Sequence, residues 1–277
     1  ISNDSDGSKL KYRGLKSGYE NYFKKISGQI DGAENFKLLI SEESNWKSFL
    51  KFVEKEASKN EKDYLDALLN LVDEQQKESL ARSYYGNSVL ISQAKRLYRN
   101  AVEKEKIDSE RKPGYQERDQ EKIMNRIKSL DYSFDLKVDK AIFTDRLSVY
   151  AKIEPSLRRP TYSKLLKLDS GLNEMNQAVD EIYSSQYKDS ESFLKMMEFS
   201  LDELNDSTDP LIVFAKKTYE ESLEYEKKYE ATGARRQLLK SKFIGLLKNY
   251  YESSNRQLYA DANGTLRVTY GNVAGVS

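Results

Sequence analysis

The chain has 277 residues, of which 33% are charged and 38% hydrophobic, with a formal net charge of +1. This composition is typical of a folded protein rather than a disordered segment, and so small a net charge provides no field that favours nucleic acid or an anionic membrane as a partner. The sequence has no cysteine and no histidine, which excludes a disulfide framework and a Cys/His zinc site. No apolar run approaches the roughly 20 residues that cross a bilayer.

The first residues are polar and rich in turn formers, so residues 1–9 are predicted to be a flexible lead-in. The run from Asn3 to Gly7 faintly resembles a calcium loop. Counted from Ser2, however, the twelfth position is Arg13, where such a loop carries Glu. We therefore predict no metal site, and the chain contains no cofactor-binding motif.

Helical periodicity dominates the rest of the chain and predicts an all-α domain over residues 10–260. A first helix is expected from about residue 10 to residue 26, with its end marked by Gly28 and Gly32. The 20 tyrosines are interpreted as half-buried helix residues rather than a surface on which bases stack, and Trp46 is assigned to the core. Further apolar stripes predict helices over residues 46–53, 64–72, 90–101, 123–130, 138–150, 172–183 and 190–197.

Two breaks in the pattern carry charged residues, and each has two interpretations. Pro113-Gly114 separates the charged runs 110–112 and 117–119. A helix corner held by ion pairs is favoured there, and a loop facing a catalytic cleft is the functional alternative. Arg158 and Arg159 lie between two prolines, where a solvated corner is favoured over an anion site.

In the C-terminal part of the chain, Asp209-Pro210 predicts the N-terminus of a helix, because Asp caps helices and Pro is favoured in the first turn. This helix is predicted to be the first of the two longest helices, which are expected to be joined at Thr232-Gly233. Residues 265–270 then alternate apolar and polar side chains in a β-branched run, which predicts a strand. A lone strand is not stable. We therefore expect residues 261–277 to lead into a β-rich domain, and the chain to be a piece of a larger protein.

Three segments resemble one known family. Residues 261–271, DANGTLRVTYG, are similar to the segment that enters the second β-barrel in the bacterial serine dipeptidyl-peptidases of types seven and eleven. Residues 110–119, ERKPGYQERD, resemble a run in that family's helical domain. Residues 21–28, NYFKKISG, resemble its early Asn-aromatic-aromatic-Lys segment. The three segments occur in the family's order and together cover the whole chain.

The resemblance implies a chymotrypsin-like double β-barrel with a large helical cap domain inserted between the barrels. The catalytic His and Asp would precede this chain and the nucleophilic Ser would follow it, so no catalytic residue is predicted here. The chain indeed lacks histidine, the usual base of a serine triad. The implied enzyme releases N-terminal dipeptides from oligopeptides with a free N-terminus. It would be periplasmic or secreted in a Gram-negative bacterium and homodimeric.

One site residue is implied by the resemblance. Asn21 matches the family asparagine that contacts the α-amino group of the substrate. An amide oxygen can accept a hydrogen bond from an ammonium group without adding a second buried charge. From the residues alone, the simpler interpretation is a polar residue on the first helix.

A second hypothesis for the function does not involve an enzyme. The chain could be a stand-alone helical interaction module whose C-terminal strand adds to the sheet of a partner protein. A His-bearing trypsin-like segment upstream and a Gly-Asn-Ser-Gly-type segment downstream would distinguish the peptidase from this module.

Overall fold

The structure is a computed structural model in which residues 6–86 and 88–256 are described. Every regular element in these residues is a helix, so the predicted all-α class is confirmed for this part of the chain. The predicted strand at 265–270 and the first five residues of the predicted lead-in lie outside the described residues. None of the described helices is long and apolar enough to cross a bilayer.

The predicted apolar stripes lie in helices, and the stripes at 172–183 and 190–197 coincide with whole helices. The stripe at 123–130 differs, because it is divided at Ser129 between two helices. Three short 3-10 helices, Asp108–Glu110, Glu117–Asp119 and Pro155–Leu157, lie in the connections. The α-helices of the described residues are α1 (Asp6–Asn35), α2 (Leu38–Glu56), α3 (Lys59–Tyr84), α4 (Val89–Lys104), α5 (Gln120–Lys128), α6 (Leu130–Ser133), α7 (Leu136–Tyr150), α8 (Pro160–Leu165), α9 (Leu172–Tyr183), α10 (Ser190–Met197), α11 (Leu201–Asp206), α12 (Pro210–Lys217) and α13 (Tyr219–Ser253).

The chain divides into two compact units. The larger unit contains the described residues up to Gly32 and from Val72 to Gly233. Its core is arranged around α4, which packs against α7, α10, α11 and α12. One side of α4 is buried almost completely and supplies Leu90, Ile91, Ala94, Leu97, Tyr98 and Ala101 to this core.

The smaller unit contains Ala33–Leu71 and the described residues from Ala234 onward, and its core is aromatic. The Phe49 ring lies 5.5 Å from the Tyr250 ring in an edge-on arrangement, which suits the quadrupoles of the two rings. Trp46 is half-buried against this core, with its ring 5.3 Å from Phe49. The assignment of the tryptophan to a core is therefore confirmed.

The first helix is longer than predicted. It begins at Asp6 and continues through Gly28 and Gly32 to Asn35, so the predicted end at the glycines is wrong. A glycine inside a helix costs only about 1 kcal/mol relative to alanine. The chain leaves helical geometry at Lys37, which has a positive φ of 51° immediately before α2.

The last long helix also runs through its predicted break. α13 continues across Thr232 and Gly233 without interruption, whereas the chain breaks earlier, at Thr218 between α12 and α13. The Thr218 hydroxyl is fully buried and donates to the Phe214 carbonyl at 2.8 Å. Such a bond competes with the regular helical ladder and favours a helix end. The predicted start at Asp209 is confirmed, since its carboxylate accepts from the Leu211 and Ile212 amides.

A buried carboxylate from α7 caps the N-terminus of α4. Asp139 is 4% exposed and accepts hydrogen bonds from the Ser88 hydroxyl at 2.9 Å, the Val89 amide at 2.8 Å and the Leu90 amide at 3.3 Å. The Tyr183 hydroxyl donates to the same carboxylate at 2.7 Å. Burial, together with the Asp139 charge, raises the pKa of Tyr183, so this phenol stays protonated and remains a donor.

Removing this carboxylate should destabilise the protein strongly. Asp139→Ala removes the acceptor of the Val89 and Leu90 amides and of the Ser88 hydroxyl, and one of the two acceptors of the Tyr183 hydroxyl. An unsatisfied buried donor costs about 1–3 kcal/mol. We expect a loss of roughly 3 kcal/mol or more in the free energy of unfolding, and a smaller loss of about 1–2 kcal/mol for Tyr183→Phe, both measured by urea denaturation. Asp145→Ala on the exposed side of α7 is the matched control and should change stability by less than about 0.5 kcal/mol. Equal losses in the two Asp variants would contradict the capping role.

Candidate functional site

Asn21, the predicted contact to the substrate amino group, lies in the middle of α1 with an exposed side chain. Within the described residues, two hydrogen bonds join the first part of this helix to the segment just before α7. Lys11 Nζ donates to the Phe134 carbonyl at 2.7 Å, and the Asp135 amide donates to the Tyr12 hydroxyl at 3.3 Å. Asn21 is thus presented roughly 13 Å along the helix axis from an anchored residue.

Glycines share the helix face of Asn21. At about 100° per residue, Gly14, Gly18, Gly28 and Gly32 fall on the same side of α1 as Asn21. A Cβ atom placed on any of these four glycines would meet nothing within 4 Å outside the helix's own neighbouring residues, so this face is open among the described residues. Another chain can therefore approach the backbone at these glycines more closely than it could approach a residue with a side chain, while Ser17, Lys24 and Lys25 also lie on this side of the helix.

A second side of α1 is apolar and exposed. Leu15, Tyr19, Tyr22 and Phe23 keep 54%, 63%, 63% and 73% of their surface accessible. Single exposed apolar residues are ordinary, but a contiguous row is typical of a surface that binds another protein surface. The described residues therefore place two different open faces on one helix.

The corner at Pro113-Gly114 is held by ion pairs, as predicted. Gly114 has a φ of +94°, and its amide donates to the Asp119 carboxylate at 3.0 Å. Next to it, Lys112 Nζ lies 3.2 Å from a Glu230 carboxylate oxygen on α13. The alternative, a loop that faces a catalytic cleft, stays a prediction.

A buried carboxylate, Glu103, lies behind this corner and is 1% exposed. It accepts hydrogen bonds from Lys106 Nζ at 2.9 Å and from the Lys112 amide at 3.0 Å, while Arg99 binds Glu226 through two nitrogens, at 2.7 and 3.2 Å. Burial would raise the pKa of Glu103, but these hydrogen bonds and the neighbouring positive charges lower it below its ordinary value. Glu103 was not predicted from the sequence, because a glutamate among lysines near a helix end usually faces solvent.

The solvated corner predicted at Arg158 and Arg159 is wrong. Arg158 is 3% exposed and pairs with Asp169 at 2.6 Å. The Arg159 guanidinium lies 3.7 Å from the centre of the Tyr85 ring and 4.3 Å from that of Tyr225, a double cation–π arrangement. Both aromatic rings are distant from Arg159 in sequence, so the partial burial of this arginine could not be predicted from its neighbouring residues.

The described residues hold no group of three acidic side chains that could bind a metal ion. That the chain contains no catalytic residue stays a prediction. The described residues offer two separate features: an exposed amide on an open face of α1, and structural ion pairs around the buried Glu103.

Comparison with known proteins places the chain in a family. The peptidase S46 profile matches residues 1–277. The chain belongs to the peptidase S46 family. It is 30% identical over 270 residues to an Asp/Glu-specific dipeptidyl-peptidase of Shewanella putrefaciens, an alignment that covers 96% of this chain and 36% of that relative. This S46 chain therefore spans little more than a third of the length of the curated relative that it matches, and it is related to serine peptidases that act as dipeptidyl-peptidases.

The Glu103 carboxylate should make the stability of this S46 chain dependent on acid. Because its pKa is lower in the folded than in the unfolded state, its contribution is full above the ordinary value of 4.5 and is lost as the pH falls through the depressed folded value. Glu103→Gln should therefore lower the melting temperature near neutral pH. The difference from the unmodified protein should shrink as the pH is lowered below about 4.5.

Thermal unfolding followed by circular dichroism at several pH values measures this difference. Glu105→Gln, an exposed neighbour on the same segment, controls for the removal of one negative charge. A difference between Glu103→Gln and the unmodified protein that grows towards low pH would contradict the assignment.

Proposed function

We propose that this chain is the helical substrate-capping domain of a serine dipeptidyl-peptidase of the type-seven and type-eleven kind. The enzyme would release dipeptides from oligopeptides that have a free N-terminus. The observation that carries the proposal is the alignment of 96% of the chain with 36% of an Asp/Glu-specific dipeptidyl-peptidase. The remaining length in such a protein leaves room for the double β-barrel that the resemblance implies, which would be the main partner of this domain.

The chemistry of the chain supports this division of labour. A serine peptidase needs a general base, which is usually histidine, and the chain has no histidine. We propose that the catalytic His, Asp and Ser lie in the barrels and that this domain contributes to binding. By the same resemblance, we propose a homodimeric enzyme that is periplasmic or secreted in a Gram-negative bacterium.

The two open faces of α1 support a capping role. The apolar row formed by Leu15, Tyr19, Tyr22 and Phe23 suits a contact with the rest of the enzyme, because burying it removes a large apolar surface from water. The face with Asn21 and the glycines would then be free for the N-terminus of a peptide. An amide oxygen at this position would accept a hydrogen bond from the substrate ammonium and so help the enzyme to measure two residues from the N-terminus.

The activity itself is tested on the full-length protein with chromogenic dipeptidyl substrates. We expect release of the reporter from dipeptides with a free α-amine, little release from their N-blocked counterparts, and inhibition by a serine-directed reagent. The isolated 277-residue chain should be inactive, because it has no histidine to serve as the base of a serine triad. Turnover by the isolated chain that survives repurification, or a full-length protein that prefers N-blocked peptides, would refute the proposal.

Asn21→Ala should reduce kcat/KM of the full-length enzyme selectively. The substrate ammonium would lose one acceptor, and a hydrogen bond to a charged group is worth roughly 1.5–3 kcal/mol. The expected loss is about tenfold to hundredfold, measured with dipeptidyl substrates that have a free α-amine. N-blocked peptides should change little, since they offer no ammonium.

Asn70→Ala, which removes an exposed amide from the interior of α3, is the matched control and should leave kcat/KM unchanged. Wild-type kcat/KM in the Asn21 variant would return this residue to an ordinary helix surface. A uniform loss on all substrates with a lower melting temperature would show a structural role instead.

A further inference from the structure

A groove of about 500 Å³ lies in the larger unit along α4, α5 and α6. The charged residues among those that line it are both arginines, Arg96 from α4 and Arg126 from α5. Serines, glycine and apolar residues form most of the remaining wall, and among the described residues no acidic side chain lines this groove. Positive charge therefore dominates the groove.

Neither arginine is neutralised within the described residues. The positions three and four residues away along the chain, where a carboxylate could pair with either arginine, hold no Asp or Glu. They are Ser92, Gln93, Arg99 and Asn100 around Arg96, and Lys122, Ile123, Ser129 and Leu130 around Arg126. Arg99, one turn further along α4, is by contrast bound to Glu226. Burial and the nearby charge of Arg126 lower the pKa of Arg96, as expected for two like charges that share a groove.

The groove also contains an unused acceptor. Gln93 is 6% exposed and lines the groove, and its Oε1 is buried without a hydrogen-bond partner. The hydroxyls of Ser129 and Ser133 are already committed, since they donate to the carbonyls of Arg126 and Ser129 at 2.7 Å each. Among the described residues, the unpaired polar groups of this groove are thus the guanidinium groups of Arg96 and Arg126 and the amide oxygen of Gln93.

We propose that this groove binds the C-terminal carboxylate of a peptide. The guanidinium groups of Arg96 and Arg126 would hold the carboxylate, because the planar guanidinium fork matches a carboxylate. The Gln93 side chain would turn its Oε1 into the groove and accept from a backbone N–H of the same peptide, which removes the cost of leaving that oxygen buried and unpaired. The site adds a contact for the peptide of the proposed function, but it is tested by binding rather than by hydrolysis, so either proposal can fail without the other.

The test compares two ligands that differ only at the carboxylate, N-acetyl-triglycine and its C-terminal amide. Their blocked N-terminus prevents them from acting as dipeptidyl substrates. Calorimetric titration of the full-length protein at fixed ionic strength should show binding of the acid and at least tenfold weaker binding of the amide. Arg126→Ala should weaken binding of the acid by about tenfold to hundredfold. Because Arg126 is exposed, this variant should fold normally.

Arg235→Ala, which removes an exposed arginine from α13 outside the groove, is the matched control and should bind the acid normally. Displacement of the peptide by inorganic phosphate, absent in Arg126→Ala, would support an oxyanion site at the two arginines. Equal affinity for acid and amide, an equal loss in Arg235→Ala, or binding of phosphate without binding of the peptide would overturn the proposal.

Discussion

The Asp139 carboxylate has to be surrounded by donors, because a charge removed from water costs several kcal/mol unless its partners are in place. The N-terminus of α4 supplies three of these donors, and the helix dipole there also favours an anion. Tyr183 supplies the fourth donor from α9. One carboxylate thereby joins α4, α7 and α9. Since α4 is the helix around which the larger core is arranged, this capping contact also helps to set which of its faces is buried.

The capping of a helix N-terminus by a buried carboxylate also explains how a short helix can be stable in this protein. α8 has only six residues, too few to be stable as an isolated helix. Its N-terminus is capped from α13, where the buried Glu221 accepts from the Thr161 amide at 2.6 Å and the Tyr162 amide at 3.3 Å. The Tyr162 side chain is buried in turn among aromatic rings, so capping and packing stabilise the same short segment.

Features that depend on local signals could be predicted from the sequence, whereas features that depend on contacts between distant residues could not. The boundaries of α10 and the start of α12 were predicted, because an apolar period and an Asp-Pro cap are local signals. The glycines of α1 and α13 led to two wrongly predicted helix ends. A glycine inside a helix costs only about 1 kcal/mol, and packing and helix length outweigh that cost. Arg159, Glu103 and the groove at Arg96 and Arg126 depend on partners brought together from different helices, so their environments appeared only in the fold.

Helical geometry also limits how α1 could take part in the proposed function. Within a helix the backbone carbonyls are already bound to amides four residues further along, so a substrate ammonium has to find its acceptor on a side chain. Asn21 has a short side chain and reaches only a ligand that comes close to the helix. The glycines on its face allow that approach, while the apolar row on the other face favours burial against protein. The two faces therefore suit different tasks, and exchanging them would place Asn21 against protein and the apolar row against solvent.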